Sequence, residues 1–255
     1  MEKPVLTPDL EGLRREIDAA DGALLDQLER RFSAVERVKA VKQESVNEVL
    51  QPMRPAREAQ ILRRLLAQNQ GIVPASLLVR LWRSIISSAT SLQAKVTVHI
   101  GKEIDDDHGL RDLVRDHFPG LSLSVGTNDA DAMGRLAASP IDIAAVRAEG
   151  DWIAPVLKML GHGVHVMSVL PVLAPCSRPP QLIVLGRAAA EPSGKDQTLI
   201  ALAGESQNAV KGAIWTLPAG AYRLAALEGF LDEKSAVPAG AFMLGRCPQS
   251  LGGGT

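Results

Sequence analysis

Cysteine is scarce in this chain: Cys176 and Cys247 are the whole complement, and they stand in separate segments with no CxxC spacing. A disulfide framework and a cysteine zinc site are both excluded as organising features. An excess of one charge is missing too, because 28 basic residues meet 29 acidic ones for a net charge of −1. A nucleic-acid binder needs a strong positive footprint, so no nucleic-acid partner is expected. No stretch approaches the ~18 uninterrupted apolar residues of a membrane span. The opening MEKPVLTPDL lacks the apolar run of a signal peptide. A cytoplasmic protein with no membrane partner is the expectation. There is no fixed-period repeat, and GKDQT lacks the spaced glycines of a phosphate-binding loop.

What is present suffices for two or three compact units: 255 residues, 46% hydrophobic and 22% charged. The charge is uneven. Residues 1–95 carry roughly three more basic than acidic side chains, and the remainder roughly four more acidic ones. The first part therefore suits an anionic partner, although ordinary solvated helix faces would give the same balance.

Two styles of sequence meet near residue 95. A first helix is expected from about Pro8 to about Lys42, capped by Thr7 or Asp9, with Asp9 and Glu11 near its positive end. Its apolar residues Leu10, Leu13, Ile17, Leu24, Leu28, Val35 and Val38 recur with a helical period. About 35 residues at ~1.5 Å each make a rod of roughly 50 Å, longer than a small domain is wide. Such a rod must pair along its length, and self-association does this. After a loop over 43–51, a second helix opens at Pro55 and ends near Gly71, and a third runs from Pro74 to Gln93.

Beyond Lys95 short apolar runs alternate with helical stretches, the signature of an α/β layer structure. Strands are expected at 96–100, 121–125, 141–146, 164–174 and 181–187, and helices at 110–118, 129–138 and 152–161. After the break at AAAEPSGKDQ the pattern predicts a strand at 198–204, a helix at 208–217, strands at 222–231 and 241–247, and a disordered SLGGGT tail. The chain thus reads as multidomain: an all-α unit over 1–95, then an α/β region divided into 96–187 and 188–255.

The informative anomaly is Arg31, which interrupts the apolar stripe three residues after Leu28 and four before Val35. A guanidinium there is costly unless an anion pairs with it. That anion is either a ligand or an acidic residue on a neighbouring helix. Lys42, eleven residues on, returns to nearly the same face about 16 Å along the axis. Arg14 lies about 25 Å before Arg31 and cannot reach the same small ligand within one subunit. An antiparallel second copy could supply it. Arg14 and Lys42 could equally be surface charges, Arg57 and Glu58 the first turn of a helix, and Gln93 a helix-end residue.

The segments LEGLRREIDAADGALLDQLERRFSAVERVKAVK, PAREAQILRRL and LVRLWRSIISSATSLQ resemble the all-helical (type II) chorismate mutase family over about residues 8–93. The resemblance implies an intertwined homodimer that rearranges chorismate to prephenate in phenylalanine and tyrosine biosynthesis, with no cofactor and no metal. It implies that Arg31, and Arg14 donated across subunits, bind the two substrate carboxylates. Lys42 and Gln93 would donate to the ether oxygen, Glu58 would hold the ring hydroxyl, and Arg57 would support the anionic site. Two positions depart from the family pattern, Arg54 in place of an Asp and Ala89 in place of a Ser. Both concern secondary contacts and put affinity in doubt more than chemistry. The reaction is intramolecular and needs no nucleophile, and the chain offers no convincing catalytic triad.

Residues 96–187 resemble the substrate lobe of prephenate dehydratase, the usual fusion partner of this mutase. QLIVLGRAAAEPSGKDQTLIAL looks like that enzyme's strand leading into its small ACT domain, here 188–255. The Thr-Arg-Phe motif of the dehydratase is replaced by Pro180-Gln181-Leu182, and its Gly/Ser-rich loop by GKEIDDDHG. A remnant without dehydratase activity is therefore expected. The alternatives are a bifunctional or phenylalanine-regulated enzyme and a non-catalytic regulator binding an aromatic metabolite. Isochorismate-pyruvate lyase shares the helical fold, but the fused region argues against it. His162 and His165 have no third ligand nearby in sequence, and residues 105–108 read as a solvated loop or a helix start.

Overall fold

A computed structural model describes residues 9–44, 51–203, 210–232, 238 and 240–252. The expected caps at Thr7 and the helix start at Pro8 lie outside the described residues. Contacts divide the chain into two compact units, 1–48 and 49–255.

The first unit is one helix, α1 (Leu10–Glu44), 35 residues long and therefore about 52 Å at ~1.5 Å per residue. Asp9 Oδ1 accepts from the Glu11 N–H at its start, in keeping with an acidic N-terminal turn. Leu10, Leu13, Ile17, Leu24, Leu25, Val38 and Val41 are all exposed on it. Leu28, Arg31, Phe32 and Val35 are half-buried.

In the second unit α2 (Pro55–Gln68) begins with Pro55 in its first turn and closes at the C-cap Asn69. Gly71, with φ +89°, makes the left-handed turn two residues later. α3 (Ala75–Gln93) follows. Two sheet layers come next. In the first, β1 (Thr97–Ile100), β2 (Ser122–Val125), β3 (Ile143–Arg147), β4 (His165–Leu170) and β5 (Leu182–Gly186) lie in the order β2-β1-β3-β5-β4. β1 is parallel to β2 and β3, whereas β5 is antiparallel to β3 and β4. The intervening helices are α4 (Lys102–Asp105), α5 (His108–His117), α6 (Asp129–Ala137) and α7 (Ile153–Met159), the last running on into a 3-10 turn. Asp107 caps α5 and Asn128 caps α6 by accepting backbone N–H bonds. The second layer is antiparallel: β6 (Asp196–Ala203), β7 (Ala213–Ala219), β8 (Tyr222–Glu228) and β9 (Ala241–Pro248) lie in the order β7-β8-β6-β9.

Both faces of the first sheet are covered, which explains why every residue of β5 is buried. One face, with Val98, Ile100 and Val184, packs on Ile104, Val114, Phe118 and Met53. The other shares a core with the second sheet, where Val146, Val166 and Leu185 meet Leu199, Trp215, Leu224 and Leu244. The two sheets approach closely at Gly245. Its φ is +156°, it flanks a register shift in β9, and an added Cβ would lie 2.7 Å from the Val166 nitrogen.

Two expectations are corrected here. The stretch 208–217 was expected to be helical, but its residues from Ala213 are strand β7, and the described residues before them form no helix. Val210, Ile214 and Leu217 fall at helical spacing by coincidence. Gly212 (φ +82°) forms a turn before the strand, and the inward pair Trp215 and Leu217 has the period of a strand. The beginning of the tail is ordered: the Leu251 N–H donates to the Val172 carbonyl (2.6 Å), and the Cys176 thiol donates to the Ser250 carbonyl (3.2 Å). Residues 253–255 lie outside the described residues.

Candidate functional site

On α1, Arg31 shares a face with Leu28 and Val35, three residues before and four after it. Its guanidinium is half-buried, and Nη1 is fully enclosed without a hydrogen-bond partner among the described residues. Burial holds its pKa below the ordinary arginine value, a cost that an anion would relieve. Arg14 is exposed, and the seventeen residues between it and Arg31 make about 25 Å of helix. Lys42 belongs to α1, two residues short of its end, and its side chain lies outside the described residues.

On α2, Arg57 and Glu58 are adjacent and therefore about 100° apart around the axis. Arg57 is exposed and Glu58 is buried. The Glu58 carboxylate accepts from Nη1 of Arg83 through Oε2. Arg83 is itself only 2% exposed. Its Nε and Nη2 both donate to the His117 carbonyl, at 2.8 and 2.6 Å, and its guanidinium lies 5.8 Å from the centre of the Phe118 ring. The His117 imidazole is pushed well below its ordinary pKa, first by burial and then by the Arg83 charge. It is neutral at pH 7. Beside this group lies a cavity of about 30 Å³, lined also by Leu62 and Met167, enough for an ordered water. Gln93 ends α3, and its amide donates back to the Ala89 carbonyl at 3.4 Å.

No hydrogen bond among the described residues joins Arg57, Glu58 and Gln93 to one another. Arg83 was missed in the sequence, although the signal resembled that of Arg31: it interrupts the buried stripe four residues after Val79 and three before Ile86. Of the two departures from the family pattern, Arg54 gives both oxygens of Glu191 a hydrogen bond at 2.9 Å. Ala89 is packed inside the core.

In the α/β region an open cleft of about 580 Å³ lies at the carboxyl end of β3, lined by Arg147, Glu149, Asp151, Arg178, Pro180 and Gln181. Behind it the Asp129 carboxylate accepts weakly from the Arg147 N–H (3.4 Å) and leaves Oδ1 enclosed without a partner. Burial raises the pKa of Asp129. His162 contributes its carbonyl to Arg187, and His165 turns a ring nitrogen to the Gly163 carbonyl. Among the described residues, no group of three or more His, Cys, Asp or Glu is placed to hold a metal. No helix there is long and apolar enough to cross a membrane.

Residues 13–94 match the family model of chorismate mutase type II. A bifunctional chorismate mutase/prephenate dehydratase of Pseudomonas aeruginosa is 33% identical over 97 residues, which are 37% of this chain and 27% of that relative. The similarity thus spans about a quarter of the relative's length. A solved structure titled "GqqA- a novel type of quorum quenching acylases" aligns with 61% of this chain and 96% of its own, at a TM-score of 0.41 and 14% identity.

Proposed function

We propose that the chorismate mutase type II domain carried by residues 13–94 rearranges chorismate to prephenate in a cytoplasmic homodimer, without a cofactor. The supporting observation is Arg31, a half-buried guanidinium within the matched segment that has no counter-ion among the described residues. A doubly negative substrate supplies one. Arg31 and Arg14 of the partner subunit take its two carboxylates, for which the planar arginine fork is suited. Lys42 and Gln93 donate to the ether oxygen, Glu58 accepts the ring hydroxyl, and Arg57 supports the anionic site.

The chemistry asks for little else. Bond breaking and bond making occur within one molecule, so the site must hold the enolpyruvyl arm over the ring, turning a rare conformer into the bound one. As the carbon–oxygen bond lengthens, negative charge grows on the ether oxygen. A fixed ammonium and an amide donor stabilise that charge more than they stabilise the resting ether. Dimerisation covers the apolar residues that α1 leaves exposed, Leu10, Ile17 and Leu24 among them.

The domain reading is 1–95 mutase, 96–187 dehydratase-like lobe and 188–255 ACT-like remnant. A second reading, a second half that still binds or turns over a metabolite, concerns the cleft lined by Arg147, Glu149, Asp151 and Arg178, whose two guanidiniums are balanced by two carboxylates. Incubating the purified chain with chorismate and resolving the products separates these readings. Prephenate as the end product supports the mutase, phenylpyruvate reveals a working second half, and unchanged chorismate overturns the proposal.

A further inference from the structure

We infer that Arg83 is a positioning residue for the proposed mutase reaction, fixing the Glu58 carboxylate from behind while being anchored to α5 of the α/β region. The inference rests on the reading that Glu58 accepts the ring hydroxyl of the substrate.

Each nitrogen of Arg83 is engaged: Nη1 donates to Glu58 Oε2, while Nε and Nη2 converge on the His117 carbonyl at 2.8 and 2.6 Å. The planar guanidinium therefore has a fixed orientation, and the carboxylate it grips is fixed with it. A glutamate free to sample its rotamers would lose that freedom only on binding substrate. Held by Arg83, it has already lost it. Only Oε2 is used, and Oε1 accepts no hydrogen bond from the described residues. One oxygen is thus clamped and the other left for a hydroxyl.

The anchor is a backbone carbonyl, so it does not depend on the state of the His117 ring. Arg83 and His117 are the other ionisable side chains lining the cavity beside Glu58. Burial keeps the imidazole neutral, and it does not compete with Arg83 for the carboxylate. A lysine at position 83 could reach one partner but could not bridge both in a fixed plane. The orientation of a mutase side chain is in this way set by α5, outside the segment that matches the mutase family.

The test measures kcat and KM for chorismate with the full chain, alongside melting temperature, for wild type, Glu58→Gln, Arg83→Lys, Arg83→Gln and Glu58→Gln/Arg83→Gln. Glu58→Gln is expected to lower kcat/KM roughly ten- to a hundredfold, the range for a hydrogen bond to a charged group. Arg83→Lys should lower it while the protein stays folded. The double variant removes both charges and should be no worse than Glu58→Gln alone, the non-additivity of residues acting through one another. Arg83 variants that melt earlier but keep wild-type kcat/KM per folded molecule overturn the inference. So do losses that multiply in the double variant. A fully active Glu58→Gln removes Arg83's role but leaves the mutase reading standing, whereas a wild type inert on chorismate overturns both.

Discussion

Arg31 and Arg83 interrupt apolar stripes in the same way, but only Arg83 meets a counter-ion, Glu58, among the described residues. That difference has a measurable consequence. A half-buried charge without a partner weakens the fold, so Arg31→Met is expected to leave the melting temperature unchanged or raised. The same change should lower kcat/KM for chorismate at least about a hundredfold, because a bidentate carboxylate contact is lost. Thermal melts and steady-state rates on one preparation check both halves. His117 makes a second residue-scale prediction. Its folded pKa lies well below the ordinary value, so between that depressed value and about 6.5 the unfolded chain binds the extra proton. Stability is therefore full above that window and is lost as pH falls through it. Buried Asp129, with its raised pKa, pulls the other way. The His117 contribution is isolated by comparing wild type with His117→Gln: the wild-type melting temperature should drop more steeply from pH 7 to pH 5. Parallel profiles would contradict the assignment.

Elements were legible where apolar residues form one helical stripe or one short continuous run. α2 and α3 carry clear apolar stripes and a proline in the first turn of α2, and their ranges emerge within a few residues of expectation. The buried strands β3 and β5 read as short apolar runs bounded by polar or turn residues. β7 did not, because Val210, Ile214 and Leu217 share a helical spacing, whereas the strand's own alternation rests on Trp215, Leu217 and Ala219. The sequence offered no sign that Gly245 marks the approach of the two sheets. With φ +156° and the Val166 backbone against it, Gly245→Ala is expected to cost about 1–3 kcal/mol in denaturant unfolding, the range for overpacking. α1 supports a different test. Its exposed Ile17 and Leu24 belong to the surface assigned to the partner subunit. Ile17→Glu/Leu24→Glu should shift the chain towards monomer in sedimentation and lose mutase activity in the same proportion. A fully active monomer would contradict the two-subunit site.

At the scale of the whole molecule, the sequence revealed the candidate site's cations and a helical segment joined to an α/β region. It did not reveal what holds those helices to the rest, because long-range partners leave no periodicity. Arg54 looked like a weakened substrate contact, yet its guanidinium binds Glu191. Arg63, unremarked in the sequence, donates to Ser193, to the Lys195 carbonyl and to the Gln249 carbonyl. Met53 enters the core of the first sheet. The α/β region therefore packs against α2 and α3 as part of one unit, whatever activity it retains. These bonds concern only the second unit, whereas the proposed chemistry also needs α1 and Lys42. The most direct test is consumption of chorismate by wild type and by Lys42→Ala, both shown to be folded. The expected result is stoichiometric prephenate from wild type and a rate lower by several orders of magnitude in the variant, since the charge growing on the ether oxygen loses its ammonium partner. Equal rates in the two proteins, or no prephenate from either, would contradict the account.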